Sequence, residues 1–322
     1  MKLLVTCVHL VRHINHYFLK LKEAGIECKA HYPDNQQFNS FEMLEILPGN
    51  NFIIAGDDEI NENVIKLSAS KGLKAIVKWG IGVDNIDIDA SKKYNIPVFN
   101  TPNAFGADVA EQAISLILNL TRGTHIIDSE VRKGNWLKIE GSSLIDKTIG
   151  IIGLGSIGKE IALRASSFGM KITFFDPFVK NNFNIIEYSN LSFEDLCARS
   201  DFIVLACSLN EGNINIINKD SISKMIKKPY IINVSRGPLI NEKDLIRALN
   251  EEKIKGAGLD VFEKEPLPIT SELMKKKNCI LGSHNSSNTL EAVKRVNDIT
   301  VEMILDFKVN GIRNSLIGNR II

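Results

Sequence analysis

The sequence predicts an α/β protein built on parallel sheets, and three observations predict it. Short apolar runs recur along the chain, each followed by a stretch with helical spacing, an alternation that buries both faces of a parallel sheet. A turn of the form Gly153-x-Gly155-x-x-Gly158 joins the apolar run Ile149 to Ile152 to a helix-like stretch that includes Glu160 to Arg164. The chain has 322 residues, 44% hydrophobic and 24% charged, which is enough for roughly two ordinary globular domains.

Taken in order, Leu3 to Val8 reads as a strand, Leu10 to Glu23 as an amphipathic helix ended by Gly25, and Glu27 to His31 as a second strand. Phe41 to Leu47 is helical, Phe52 to Ala55 a strand, Glu62 to Ser70 helical and Lys74 to Lys78 a strand. The loop Gly80-Ile81-Gly82-Val83-Asp84 leaves that strand, on the side where open α/β sheets bind ligands. Asn100 to Gly106 is turn-rich and marks a boundary. Val109 to Thr121 is a strongly apolar helix and a second helix lies near Ile126 to Lys133. After the glycine turn, strands recur at Lys171 to Phe175, Asp201 to Ala206, Tyr230 to Val234, Gly256 to Leu259 and Cys279 to Leu281. Leu290 to Phe307 is helical again.

The formal net charge is +1 and the pI about 7.6, so nothing draws the chain to nucleic acid or a membrane surface. Five cysteines form no Cys-x-x-Cys pair; they read as reduced thiols of a cytoplasmic protein, and no metal site is expected. No apolar run approaches the length of a membrane span.

The glycine turn has a specific chemistry. Gly153 permits the sharp turn, Gly155 lets backbone approach a pyrophosphate, and Gly158 lets helix and strand pack closely. The helix start, Ser156 and Ile157, offers N–H groups and a positive dipole end to phosphate. Roughly 20 residues further on, Asp176 ends the next strand, where a carboxylate accepts from the ribose hydroxyls of NAD and repels the 2′-phosphate of NADP. Pro177 follows it, where an NADP site would favour Arg.

Three strand ends downstream carry reactive side chains. Arg236 follows the strand that ends at Val234; it is either a surface residue or a planar fork for a carboxylate at the ligand edge. Asp260, Glu263 and Glu265 follow the next strand, as a helix-capping loop or as partners of a base and a nicotinamide. His284, the one histidine of the C-terminal half, follows the last; beside a carboxylate and an Arg such a residue is a general acid/base for hydroxyl–carbonyl interconversion.

The ordered motifs resemble the D-isomer-specific 2-hydroxyacid dehydrogenases, most closely the phosphoglycerate dehydrogenase-like branch. They are the nucleotide turn, Val234-Ser235-Arg236-Gly237, Gly258-Leu259-Asp260-Val261-Phe262-Glu263-x-Glu265-Pro266 and Ser283-His284. Upstream, Gly82-Val83-Asp84-Asn85-Ile86-Asp87, Thr101-Pro102-Asn103 and Val109-Ala110-Glu111 fit the same pattern, so the resemblance covers nearly the whole chain.

The resemblance implies a Rossmann-type, doubly wound parallel-sheet domain over 101–288. A second, flavodoxin-like α/β substrate domain would be built from both chain ends, 1–100 and 289–322. It implies catalysis by Arg236, Glu265 and His284, with Arg236 and the Ile81-Gly82 backbone on the substrate carboxylate. Glu265 would orient His284 and favour its protonated form. NAD would contact Gly153, Gly155, Ser156, Ile157, Gly158, Asp176, Pro177, Cys207, Val234, Ser235, Asp260, His284 and Ser286, with Asp260 approaching the carboxamide end of the nicotinamide. A homodimer is implied, paired through an element like the helix at Val109 to Thr121.

The expected reaction moves a hydride between nicotinamide and C2 of a small 2-hydroxy or 2-oxo acid. Alternatives are a hydroxypyruvate/glyoxylate or D-lactate type reductase and, from another class, an NAD(H)-sensing protein like the C-terminal binding protein corepressors. The chain departs from the family at Ser283-His284-Asn285-Ser286-Ser287-Asn288, where Pro usually precedes the histidine and small residues follow it, and at Cys207-Ser208-Leu209-Asn210. Where phosphoglycerate dehydrogenases commonly carry an Arg for phosphate, this chain has Gly56-Asp57-Asp58-Glu59, a poor phosphate site. Arg12, His13, His16 or Lys78 could supply positive charge instead.

Overall fold

A computed structural model describes residues 1–34, 37–179, 189–314 and 318–322. The chain divides into two compact units: Met1–Ala104 with Thr289–Ile322, and Phe105–Asn288. The first unit opens with β1 (Lys2–Val5), α1 (Val8–His13), α2 (Asn15–Glu23) and β2 (Glu27–Ala30). Sequence periodicity predicts one helix over Leu10 to Glu23; the chain instead begins helix at Val8 and tightens at Ile14, whose N–H bonds Val11 O at 3.3 Å in the three-residue pattern. Then come α3 (Ser40–Ile46), β3 (Phe52–Ala55), α4 (Glu62–Ser70), β4 (Ala75–Lys78), α5 (Ile88–Lys93) and β5 (Val98–Asn100). Asn39, Asn61 and Asp87 cap α3, α4 and α5 through their side chains, as short polar residues do at helix starts.

The second unit begins with α6 (Gly106–Arg122), α7 (Thr124–Arg132), β6 (Thr148–Ile152), α8 (Ser156–Ser167) and β7 (Lys171–Phe175). It continues through β8 (Ser189–Asn190), α9 (Phe193–Arg199), β9 (Phe202–Leu205), α10 (Lys219–Ser223) and β10 (Tyr230–Asn233). It ends with α11 (Glu242–Asn250), β11 (Gly256–Leu259) and β12 (Cys279–Leu281). Its sheet runs β12-β11-β10-β9-β6-β7-β8 and is parallel at every pairing. That is the doubly wound Rossmann order extended by one strand, with the order reversing between β6 and β9. Strands β6, β9, β10 and β11 are buried along nearly their whole length, which is why they read as continuous apolar runs.

The chain then returns to the first unit with α12 (Leu290–Val309) and β13 (Asn319–Arg320). Thr289 caps α12, and Trp79 Nε1 at the end of β4 donates to Asn297 Oδ1 on that helix at 2.8 Å. Phe307 of α12 packs on Phe52 and Phe99. The first sheet runs β13-β5-β4-β3-β1-β2, parallel except for the antiparallel edge strand β13. Its 2-1-3-4-5 core is the flavodoxin-like order. Of the cysteines, Cys7, Cys197 and Cys279 are buried, Cys28 and Cys207 half-buried, and all are free thiols. Among the described residues no helix is long and apolar enough to cross a membrane and no group of three His, Cys, Asp or Glu could hold a metal.

Candidate active site

Strand register assembles the site of the second unit. Phe175, Ile152, Leu205, Asn233, Leu259 and Leu281 stand side by side across six adjacent strands. The residues that follow them are therefore one row along the carboxyl edge: Asp176, Gly153, Ala206, Val234, Asp260 and Gly282. Neighbouring strands lie about 4.8 Å apart, so residues distant in sequence share this edge.

At the point where strand order reverses, Gly153 has φ +93°, and a Cβ there would stand 2.6 Å from the Cys207 backbone. A Cβ on Gly158 would overlap the Gly153 carbonyl oxygen, so both positions require glycine. Beside Gly155 the space is open, and this N-cap residue supplies no side chain to the first N–H groups of α8 at Ser156 and Ile157. Asp176 is half-buried; its Oδ2 accepts from Leu154 N at 2.8 Å and its Oδ1 from Phe178 N at 2.9 Å. The carboxylate thereby ties the second strand end to the glycine turn, with Pro177 exposed beside it. Ser235 Oγ donates to Cys207 O, which joins the ends of β9 and β10.

Arg236 is half-buried, and its Nη1 donates to Ser235 O at 2.9 Å. Asn233, wholly buried, shapes this turn: its Nδ2 donates to Arg236 O at 2.9 Å and its Oδ1 accepts from Ser235 N at 3.1 Å. Asn233 is not among the residues expected at the site, although an amide closing an apolar strand just before Ser235-Arg236-Gly237 is a signal for it.

The three acids after β11 part company. Glu265 Oε2 lies 2.7 Å from His284 Nδ1, and its Oε1 accepts from Phe262 N at 2.9 Å. Glu263 Oε1 accepts from Glu242 N at 3.0 Å while Glu242 Oε1 accepts from Glu263 N at 2.7 Å, so that pair joins the loop to the start of α11. Burial, and then the charges of Glu263 and Glu265, raise the Glu242 carboxyl above its ordinary value. Asp260 is only 1% exposed, with its oxygens turned to the backbone of Asn285 and to Ser286. The carboxylate expected near the nicotinamide carboxamide stands beneath the loop that carries His284, at the end of β11. Ser286, expected at the cofactor, is 7% exposed and faces Asp260.

In the first unit, Ile81 and Gly82 are half-buried in the loop after β4. Asn100 Nδ2 donates to Ile81 O at 2.7 Å, and Thr101 Oγ1 accepts from Gly80 N at 3.1 Å. The loop after β3 is less acidic than its sequence suggests. Asp57 pairs at 2.7 Å with Lys78, which is 3% exposed, so Lys78 is no spare cation for a ligand. Asp58 is buried and accepts from Thr6 Oγ1, Phe38 N and Gly56 N; its carboxyl is raised by burial.

The pattern described as "D-isomer specific 2-hydroxyacid dehydrogenase, NAD binding domain" matches residues 114–286. The chain belongs to this dehydrogenase family. It is 38% identical over 276 residues to a hydroxypyruvate reductase of Thermotoga maritima, covering 84% of this chain and 88% of that one. It is 36% identical over 270 residues to a D-3-phosphoglycerate dehydrogenase of Methanocaldococcus jannaschii, covering 82% of this chain and 51% of that one. The solved D-lactate dehydrogenase of Aquifex aeolicus, in complex with NAD and lactic acid, superposes with TM-score 0.87 at 27% identity over 99% of this chain and 98% of that one.

The dehydrogenase uses NAD. The residues present fit it: open space beside Gly155, uncapped N–H groups at the start of α8 and a carboxylate at the end of β7 are the features a dinucleotide needs.

Proposed function

We propose that this dehydrogenase interconverts a small, unphosphorylated D-2-hydroxy acid and its 2-oxo acid, with His284 as the group that exchanges the proton. The observation that carries the reading is the 2.7 Å contact between Glu265 Oε2 and His284 Nδ1, on a carboxyl edge that also carries the Arg236 turn and the dinucleotide turn. NAD, when bound, accepts or returns the hydride at C2 of the acid.

The chain's own residues do the rest. Arg236 holds the substrate carboxylate and the C2 oxygen with its planar fork, and its charge polarises the C2 carbonyl during reduction. Backbone N–H groups of Ile81 and Gly82 hold the same carboxylate. Nε2 of His284 takes the C2 hydroxyl proton during oxidation and returns it during reduction. Glu265 accepts from Nδ1, which fixes the tautomer and stabilises the imidazolium that forms. Gly153, Gly155, Ser156, Ile157 and Gly158 receive the pyrophosphate, Asp176 the adenosine ribose, and Pro177, Cys207, Val234 and Ser235 line the cofactor.

The loop after β3 supports a substrate without phosphate, of the hydroxypyruvate, glyoxylate or D-lactate type. Lys78, which reaches this loop, is already paired with Asp57, and the loop sequence Gly56-Asp57-Asp58-Glu59 holds no arginine. We assign substrate selection to the unit built from 1–104 and 289–322 and cofactor binding to 105–288.

The same reading makes the protein a cytoplasmic homodimer. Five free thiols support a reducing compartment. Helix α7 buries none of its residues, and its Val131 is exposed together with Trp136, Leu137 and Ile139 just after it, as in a surface awaiting a second copy.

A panel of 2-oxo acids assayed with NADH, with and without phosphate groups, tests the reading. Turnover is expected on small unphosphorylated acids, and His284→Ala is expected to lower kcat about 10³-fold with NADH binding retained. Wild-type turnover in His284→Ala, or activity confined to phosphorylated acids, would overturn it.

A further inference from the structure

We propose that Asp260 and Ser286 form a clamp that holds His284 in its working orientation, which makes Ser286 a positioning residue; this rests on the assignment of proton exchange to His284. The clamp starts from the backbone. His284 has φ +54°, in the left-handed region that a residue with a side chain seldom occupies. A left-handed residue in a turn can direct successive N–H groups into one concavity, which suits an anion.

Asp260 is the group that fills this concavity. His284 N donates to Asp260 O at 2.7 Å, Asn285 N to its Oδ1 at 3.0 Å and Ser286 N to its Oδ2 at 2.8 Å. Ser286 Oγ donates to the same Oδ2. Three consecutive residues are thus bonded to one buried residue, and a carboxylate so enclosed requires its donors.

The second hold on His284 comes from the same segment of chain. Glu265, five positions after Asp260, takes the imidazole by Nδ1. His284 is therefore held at its backbone N–H by Asp260 and at its ring Nδ1 by Glu265. Removing the Ser286 hydroxyl leaves Oδ2 with one of its two donors from that residue. The left-handed turn then relaxes, and the ring leaves its line with Glu265. Ser286 touches neither substrate nor cofactor in this reading; it acts through Asp260 and His284.

The test uses the full chain and compares wild type, Ser286→Ala, Ser286→Thr, Asp260→Asn and His284→Ala. It measures kcat and KM for the best 2-oxo acid, NADH dissociation by fluorescence titration, and Tm. Ser286→Ala is expected to lower kcat about 10-fold while the NADH dissociation constant stays within about 2-fold, and Ser286→Thr, which returns a hydroxyl, is expected to restore most of the kcat. Asp260→Asn, which keeps the size of the side chain and removes its charge, is expected to lower kcat in the same way. Weaker NADH binding at unchanged kcat in Ser286→Ala would overturn the clamp in favour of a cofactor contact. A lower Tm with kcat and NADH binding both unchanged would overturn it in favour of a merely structural bond. Full turnover in His284→Ala would instead sink the assignment on which the clamp rests.

Discussion

His284 Nδ1 stands 2.7 Å from Glu265 Oε2, and the other oxygen of that carboxylate accepts the Phe262 N–H at 2.9 Å. The imidazole is thereby held by a carboxylate that is itself held by backbone. This two-step support distinguishes His284 from a histidine that merely satisfies its hydrogen bonds on a surface.

Glu265→Gln tests the charge apart from the shape. Glutamine can still accept from Nδ1 through its amide oxygen, so the ring keeps a partner but loses the anion that stabilises its protonated form. We expect kcat to fall about 10- to 100-fold with KM for NADH nearly unchanged, read in steady-state assays of both directions. An equal loss in Glu265→Gln and Glu265→Ala would show that charge is the whole effect; wild-type kcat in Glu265→Gln would remove it from the mechanism.

Arg236→Lys separates the planar fork from the positive charge. Lysine keeps the charge but cannot grip a carboxylate at two points. Loss of one charge-assisted hydrogen bond corresponds to about 10- to 100-fold in kcat/KM for the 2-oxo acid. NADH dissociation, measured without the acid, should not change.

Much of this architecture is legible in the sequence. Phe52–Ala55 and Gly256–Leu259 read as strands because both are short, fully buried runs bounded by turns. Val98–Asn100 escaped because three residues carry no period, and the single helix read over Leu10 to Glu23 broke at Ile14 because a tightened turn leaves the apolar spacing almost intact. At the site, the types of residue were readable and their partners were not. Which of Asp260, Glu263 and Glu265 meets His284 depends on the path of the backbone between β11 and β12, including the left-handed turn at His284 itself. Lys78 likewise read as a candidate cation because its burial against Asp57 depends on two neighbouring strands.

Glu242 gives stability a pH dependence of definite sign. Burial raises its carboxyl first and the neighbouring charges of Glu263 and Glu265 add to the effect, so the folded chain holds this proton more tightly than the unfolded chain does. The ionised form therefore costs stability. That cost is full above the raised folded value, shrinks as pH falls through it, and is gone below the ordinary value of 4.5. Glu242→Gln keeps an acceptor for Glu263 N and removes the charge. Its Tm is expected to exceed wild type by roughly 1–3 °C at pH 8 and to match it at pH 4; a gain that persists at pH 4 would point to packing instead.

Two roles are proposed for Asp176, and two substitutions separate them. Its Oδ2 accepts from Leu154 N in the glycine turn, and a negative charge at this strand end would repel a 2′-phosphate on an adenosine ribose bound there. Asp176→Asn can keep an oxygen toward Leu154 while losing the charge, whereas Asp176→Ala loses both. If repulsion sets the preference, both variants should raise kcat/KM with NADPH relative to NADH by about 10-fold or more, the equivalent of one charge-assisted contact. If the bond to Leu154 shapes the turn, only Asp176→Ala should also raise KM for both cofactors, because the pyrophosphate-binding N–H groups then lose their fixed positions. A ratio of NADPH to NADH efficiency that stays at the wild-type value in Asp176→Asn would remove the charge from cofactor choice. An unchanged KM in Asp176→Ala would remove the Leu154 bond from pyrophosphate binding.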